Sequence, residues 1–599
     1  MINTIIADVN IADKLLPYTS VTLSQKMNEH HEFTIRVDHH VLEAQGTLSL
    51  DNTKDLIGKY VVISLFNVVG STLTRKWDFK GIICEVAARS NTAFEGDLIL
   101  KGYSPTILME DGPGYASYNE KTLSEMVTKA TKNFEQSECP VNSNPSLTSP
   151  IKYVSRYKES NFHFLNRLSN DYGELFYYDG TGLVFGSPST TEFVEIISGV
   201  DLSNMQLNMK VSPIEAWGFA YASKGDQYIT TKGPDIDGLD PYPKHAVDVS
   251  NTLYGELDDV PIYQPVESTN EAENFVKKSK ESTAAGLVVL SGTTTNPDLF
   301  LGRVADVKVS RSEGDVPVRD DYGAYLVTSI THQFTQAGAY YNQFEALSGW
   351  VRGIPVRHIV NPMAEPQYAW IHDNKDPQKM GRVQVKMQWQ TDDEHTDWIW
   401  VMTPDAGGGK DGAKGGGFVV MPEKNDRVLV GFVYNNPDRP FVMGSLFHGK
   451  TAPDGGLRCL TARKTSAKVC INDGDGSITI EDGGGHKIVL DGAGNIDVTS
   501  DTKISLKVGS SEIKIEPSKI TIKATDVKID ASTADIQGSS KAVLKKDDST
   551  FFKAEGSKVA MEATSAEVKG VSDAKLTGVN ATVNGTAKAE VKGAQVSIN

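Results

Sequence analysis

From about residue 476 to 599 the chain repeats one small pattern, two aliphatic residues separated by a single position, every seven to nine residues. The pairs run Ile488 and Leu490, Ile496 and Val498, Ile504 and Leu506, Ile513 and Ile515, Ile520 and Ile522, then Val527 and Ile529. Ala534 and Ile536 follow, and around Ala542–Leu544 and Phe551–Phe552 the register is ambiguous. The series resumes with Val559 and Met561, Ala566 and Val568, Ala574 and Leu576, Ala581 and Val583, Ala589 and Val591, and ends with Val596 and Ile598. Side chains two apart lie on one face of a strand, so each unit reads as roughly five to six residues of half-buried strand and a turn.

Such a strand cannot enclose a core alone. A single-chain parallel β-helix normally spends some twenty or more residues on each turn. Three chains, each giving one face of a triangular prism, can enclose it, and the expectation is an intertwined trimeric β-helix in which each strand pairs with the other two subunits. Charge is absent from the paired positions while Lys, Asp, Glu, Thr and Ser fill those between, which predicts a dry axis. About fifteen strands stacked at roughly 4.8 Å make a needle on the order of 70 Å long. It should taper, because Ala566, Ala574, Ala581 and Ala589 point inward and Gly570, Gly578, Gly585 and Gly593 mark the turns. Ser, Lys and Gly are also plentiful in disordered tails, but a regular β-branched period argues against disorder.

The rest of the 599 residues exceeds one core, and several domains are expected. Hydrophobic residues at 39% and charged residues at 23% fit a folded chain. A net charge of -17 argues against a nucleic-acid partner, which needs a basic stripe. The N-terminus carries no secretory pattern, so synthesis in the cytoplasm is expected. No stretch approaches the roughly 18 apolar residues of a spanning helix. Cys84, Cys139, Cys459 and Cys470 are scattered without CxxC spacing, which supports neither a zinc site nor a disulfide framework and predicts idle thiols.

Residues 1 to about 100 alternate apolar and polar in short runs, as in Phe33–Val37 and Tyr60–Leu65, which reads as strands of a barrel or sandwich. Thr122 with Glu125 is a capping box, and Ser160 precedes Phe164, Leu165 and Leu168 on one helical face. His163 and the pairs His30–His31 and His39–His40 could be offered as metal ligands, but neighbours in a strand point to opposite faces, and no metal site is expected. From about 186 to 355 the pieces read as strands again. Pro355, Asn361–Pro362 and Glu365–Pro366 then mark a linker.

After it, Tyr368–Ile371, Arg382–Met387, Trp398–Val401, Gly417–Val420 and Val428–Phe432 predict the five strands of a small OB-type barrel. A barrel of this kind that binds single strands needs a basic aromatic groove, whereas the loop Thr391–Glu394 is acidic. The run Gly407–Gly412 lacks the GxxxxGK[ST] pattern of a phosphate loop.

Tyr157-Lys158-Glu159-Ser160 through Phe164-Leu165-Asn166-Arg167-Leu168, continuing to Gly173 and Phe176-Tyr177-Tyr178, resembles the hub segment of the VgrG family. Gly381-Arg382-Val383 with Val385, Trp398 with Trp400-Val401, Gly417-Phe418 to Met421-Pro422, Asp426 through Phe432, Asp438-Arg439-Pro440 and Gly444-Ser445-Leu446 resemble the OB module shared by VgrG proteins and phage baseplate spikes. The resemblance implies a mainly β chain. Residues 1–355 would be a phage-hub-like domain of two barrel-like halves with a helical insertion near 105–185. A linker at 356–366, an OB domain at 367–450, a neck at 451–475 and the trimeric spike at 476–599 would follow.

The function it implies is that of a homotrimeric, non-enzymatic tip of a type VI secretion machine, without cofactor, that punctures membranes and carries effectors. A tube (Hcp-like) protein and baseplate would meet the hub, and a PAAR-type tip protein would cap Val596, Ile598 and Asn599. The spike would leave the cell with the apparatus and without a signal peptide. Three rivals are weighed. Some relatives carry a C-terminal enzyme, but here the repeat runs to the last residue. A tailspike glycosidase needs acid/base carboxylates in a cleft, for which such short repeats leave no insertion. The spike of a contractile phage or extracellular injection particle shares the same architecture.

Overall fold

The computed structural model describes residues 3–598 apart from 44–48, 70–71, 91–95, 135–138, 188–191, 314–315, 337, 352, 356–358, 392–393, 409–415, 454, 548–549, 570–571, 574 and 576. The chain is mainly β and divides into two units, 1–452 and 453–599.

The first unit is organised by one 13-stranded sheet. Six of its strands, Phe193–Ser198, Leu202–Met209, Val288–Thr294, Val304–Glu313, Val316–Thr335 and Tyr340–Ser348, close on themselves, since Val304–Glu313 pairs with both Phe193–Ser198 and Val316–Thr335. The long strand Val316–Thr335 then continues past this barrel and pairs, through Ser329–Thr335, with Ser20–Lys26 of the N-terminal half. That half contains the runs around Phe33–Val37 and Tyr60–Leu65 as strands Glu32–Asp38 and Tyr60–Val69. Alternation sends Phe33, Ile35 and Val37 into the core while Glu32, Arg36 and Asp38 stay outside it.

Helices α1 (Leu123–Ala130) and α2 (Asn161–Tyr172) form the insertion. The Thr122 hydroxyl accepts from the Glu125 amide at 3.3 Å, and the Glu125 carboxylate accepts from the Thr122 amide at 2.8 Å. Ser160 caps α2 by accepting from the His163 amide at 3.1 Å. Gly173, with φ +66, closes α2 in the left-handed conformation that a side chain would strain.

Two further helices, α3 (Pro241–Leu253) and α4 (Thr269–Ala285), lie where strands alone were expected. Their buried faces are built from Pro243, Ala246, Val247 and Ser250, and from Ala272, Lys280, Ala284 and Ala285. Small residues carry little hydropathy contrast, so the 3.6-residue period is faint. The cap was legible, however: Ser268 stands three residues before Glu271 and accepts its amide at 3.3 Å.

The barrel after the linker has five strands in the order Ile399–Trp400, Arg382–Met387, Gln367–Asp373, Arg427–Phe432, Pro440–Ser445. A bridge from Val401 to Val442 joins the two ends. Gly417–Val420, expected as a strand, is not one: Phe418, Val419 and Val420 are exposed, and the segment is tied at Phe418, whose amide donates to Asp405 O at 2.8 Å. The fifth strand is instead Pro440–Ser445, which the leading proline disguises, because a proline is tolerated only at the start of a strand.

In the second unit the repeat forms antiparallel ladders between sequence neighbours within the chain. Leu457–Thr461, Lys468–Asn472, Ile478–Glu481, Lys487–Leu490 and Ile496–Thr499 make one sheet, Ile504–Val508, Ser511–Glu516 and Lys519–Lys523 a second, Lys541–Asp547, Thr550–Glu555 and Lys558–Glu562 a third. The expected pairing with other subunits is therefore replaced, in these ladders, by hairpin pairing, which short turns favour entropically. The sheet already starts at Leu457, inside the segment read as a neck. The uncertain register near 540–556 becomes Leu544 opposite Phe552. Val527 and Ile529, and the described residues of the pairs from Ala566 onward, lie outside any strand, whereas Ala574 and Leu576 lie outside the described residues. Cys459 and Cys470, expected as idle thiols, form a disulfide, because the hairpin sets them directly opposite each other.

Candidate functional site

Two features of the described residues are the strongest candidates for a functional site. The first is the aliphatic ladder. Registry sets Leu490 opposite Ile496 and Ile488 opposite Val498. In the second sheet Ile504 faces Ile515, Leu506 faces Ile513, and these rows continue to Ile522 opposite Ile513 and Ile520 opposite Ile515. In the third, Met561 faces Phe552 and Val559 faces Ala554. The intervening positions Lys507, Glu512, Lys514, Glu516, Lys519 and Lys523 occupy the other face of the second sheet. Each meander is thus two-faced, and the aliphatic side is open: Leu490 is 39% exposed, Ile515 40% and Ile496 68%. Val527, Ile529, Val568, Val583, Val591, Val596 and Ile598 are exposed as well. Leu576 and Asn599 lie outside the described residues. A row of β-branched side chains of this length left open to water marks an interaction surface.

The second feature is a buried ion cluster that joins α2 and the strand before it to the barrel. Arg167, on α2, is 2% exposed. Its Nε and Nη2 donate to the two Glu159 carboxylate oxygens at 2.9 and 3.0 Å, and Nη2 also donates to Ser155 O at 2.7 Å. Its Nη1 reaches Asp438 of the barrel at 3.3 Å and Asp171 at 3.8 Å. Asp438 in turn accepts from the Ser155 amide at 2.6 Å and hydroxyl at 2.8 Å. Burial opposes the charge on Arg167, but Asp438 and Glu159 outweigh it and raise the guanidinium pKa. Around this centre, the Tyr157 hydroxyl donates to Glu365 at 2.9 Å, Gln367 donates to that hydroxyl at 2.8 Å, and Gln390 donates to Ser117 at 2.7 Å. Tyr157 packs into the barrel's own core. The motif residues Glu159, Arg167 and Asp438 were each visible in the sequence; their meeting was not.

Burial pushes the Asp171 carboxyl up to about 6, against the pull of Arg167. A raised carboxylate pKa means the folded state holds the proton more tightly, so ionised Asp171 costs stability above that pH and nothing below the unfolded value of 3.8. Asp171→Asn is expected to raise the urea midpoint at pH 8 and leave it unchanged at pH 3.5; a loss at pH 8 would show that the carboxylate is needed as an ion.

The histidines do other work. His30 sits against Thr106 and Glu110 at 2.8 and 3.2 Å, and His163 contacts Glu110 at 3.3 Å. Among the described residues, no group of three or more His, Cys, Asp or Glu side chains is placed to hold a metal. His332 is fully buried between Trp77, Phe300, Phe334 and Tyr340, and burial lowers its pKa to about 3. A lowered basic pKa gives stability that is complete above 6.5 and lost as pH falls toward 3. His332→Phe should therefore spare on the order of 2 kcal/mol of the loss between pH 7 and pH 5 in chemical denaturation; identical pH slopes would rule this out.

No helix among the described residues is long and apolar enough to cross a membrane. No curated protein sequence matches the chain. Residues 367–447 match the family model of the type VI secretion system/phage-baseplate injector OB domain. The lidded Francisella PdpA-VgrG complex is similar in fold, with a TM-score of 0.50 at 9% identity over 83% of this chain and 80% of that one. The E. coli c3393 protein, described as a type VI secretion component with structural similarity to T4 bacteriophage tail proteins gp27 and gp5, aligns with a TM-score of 0.46 at 13% identity, over 73% of this chain and 99% of that one. The 43 kDa tail protein of prophage MuSo2 from Shewanella oneidensis aligns with a TM-score of 0.41 at 15% identity, over 58% and 98%. What the chain shares with the Francisella complex is the fold, a mainly β architecture.

Proposed function

We propose that three copies of this chain form the hub and spike at the tip of a contractile injection machine of the type VI kind, and that the spike punctures target membranes and carries effectors. The observation that carries this reading is the open aliphatic ladder in a chain that holds an injector OB domain. Apolar faces left open on successive sheets cannot stay hydrated at no cost, and threefold association into a β-prism removes them from water. Each hydrogen-bonded sheet of the C-terminal unit resists bending, because bending breaks many ladder bonds together. Within the first unit, the ion cluster ties the barrel to the hub.

The role is structural, without a catalytic step or cofactor. Tube protein and baseplate meet the hub, a PAAR-type protein caps the region of Val596 and Ile598, and the protein, made in the cytoplasm, leaves with the apparatus. A second reading, the baseplate spike of a contractile phage, is favoured by the OB match itself, whose family spans both machines. Light scattering on the purified chain tests the shared premise: the expected mass is near three times 65.1 kDa. A monomer with ordered C-terminal strands would overturn both readings. Deleting the gene from its host separates them, through loss of contact-dependent killing in one case and of infectious particles in the other.

A further inference from the structure

We infer that the disulfide between Cys459 and Cys470 is a redox-set register lock on the first hairpin of the C-terminal unit. The inference does not depend on the injection role. The two cysteines are directly opposite in the ladder of Leu457–Thr461 with Lys468–Asn472, with Cα atoms 4.2 Å apart, the close spacing of a pair that exchanges no backbone hydrogen bonds. The strands are joined by a six-residue connection, 462–467, held by two backbone hydrogen bonds between Ala462 and the residues Ser466 and Ala467. A connection of that length specifies registry weakly compared with a two-residue turn.

Registry matters here because of what lies on each face. Val469 and Ile471 stand opposite Ile480 and Ile478 and so begin the aliphatic ladder, with Leu460 beside Val469. Cys470 stands opposite Thr479, and that row continues through Val489 to Asp497 on the other face. A slip of one residue would turn Val469 and Ile471 to the polar face and bring Cys470 onto the aliphatic one. The bond therefore pins the aliphatic face while itself occupying none of it, and it can form without disturbing whatever covers the ladder.

The arrangement also defines the order of the chemistry. Cys459 is exposed and Cys470 is buried. The Cys459 thiolate attacks one sulfur of a small disulfide such as oxidised glutathione, forming a mixed disulfide and releasing one glutathione thiolate. The Cys470 thiolate then attacks the Cys459 sulfur and releases the second. Two protein thiols lose two protons and two electrons, and the small disulfide takes them up as two thiols. Cys84 and Cys139 are free cysteines and take no part.

The test uses the full chain. Reduced protein is incubated with oxidised glutathione, unfolded in iodoacetamide and mapped by peptide mass spectrometry. Cys459 and Cys470 are expected in one cross-linked peptide, with Cys84 and Cys139 alkylated. Alkylation of both Cys459 and Cys470, or glutathione retained on Cys459, would overturn the redox step. Trypsin cleavage after Lys468, which requires the hairpin to open, is expected to be roughly ten-fold slower in the oxidised than in the reduced protein. The double variant C459S/C470S should be cut at the reduced rate whether or not oxidant is present. Equal rates for oxidised and reduced wild type would overturn the register lock, even if the bond forms.

Discussion

Replacing Ile513 and Ile515 together with aspartate is expected to leave the protein monomeric, with the light-scattering mass falling from three chains to one. Both residues sit in the middle strand of the second C-terminal sheet, where Leu506 and Ile522 flank Ile513, and Ile504 and Ile520 flank Ile515. They are 41% and 40% exposed in the single chain, so about half of each side chain remains for a partner to cover. Fully burying an Ile, Leu or Val side chain yields about 1.5 to 3 kcal/mol, so each half-covered position contributes on the order of 1 kcal/mol to association. Threefold symmetry multiplies that by three at every layer. Aspartate reverses the sign, because carboxylates facing one another in an apolar interior are neither paired nor hydrated. Thr521→Asp is the control: Thr521 lies opposite Lys514 on the polar face, and the mass should not change. Equal masses for wild type and the double aspartate variant would remove the ladder from the assembly.

The second large effect is expected at the joint between α2 and the barrel. Arg167→Met should cost about 3 to 5 kcal/mol, the range for removing one partner of a buried ion pair. The loss arises less from the missing attraction than from what is left behind. Glu159 and Asp438 remain buried beside Asp171 without their common cation, and the Ser155 carbonyl loses its donor. Arg167→Met combined with Asp438→Asn should be less damaging than the sum of the two single changes, because the second removes a charge the first has orphaned. Differential scanning calorimetry also reads the coupling. If the cluster ties the two cores into one cooperative unit, the single variant should show the barrel melting ahead of the larger core. One unshifted transition would show that the cluster is incidental to the joint.

Much of this architecture was legible because its signals are local. A capping box is four residues long, and Thr122 with Glu125 and Ser160 before α2 were sufficient to place two helix starts. Strand alternation in Phe33–Val37 and in Arg382–Met387 declared which side chains would be buried before any partner strand was known. Where the contrast was weak the reading failed. Helices α3 and α4 bury mostly alanine and other small residues, and Gly417–Val420 has a strand's composition without a ladder partner among the described residues. Composition reports what a segment tolerates, and pairing reports what is beside it.

The aliphatic period of two, by itself, determined that the ladders between Ile478 and Glu562 would be strands with one greasy side, because side-chain direction along a strand is set by the backbone alone; at Val527, Ile529 and the described residues beyond Ala566 the same period forms no strand. Only the tertiary structure decided which neighbours those strands take, and that the greasy side finds no cover within one chain. The same division holds for the charges. Arg167 and Asp438 are 271 positions apart, and no local rule brings them together. Their meeting, like that of Cys459 and Cys470 across a hairpin, depends on where the backbone returns, and that is a property of the whole fold rather than of any segment.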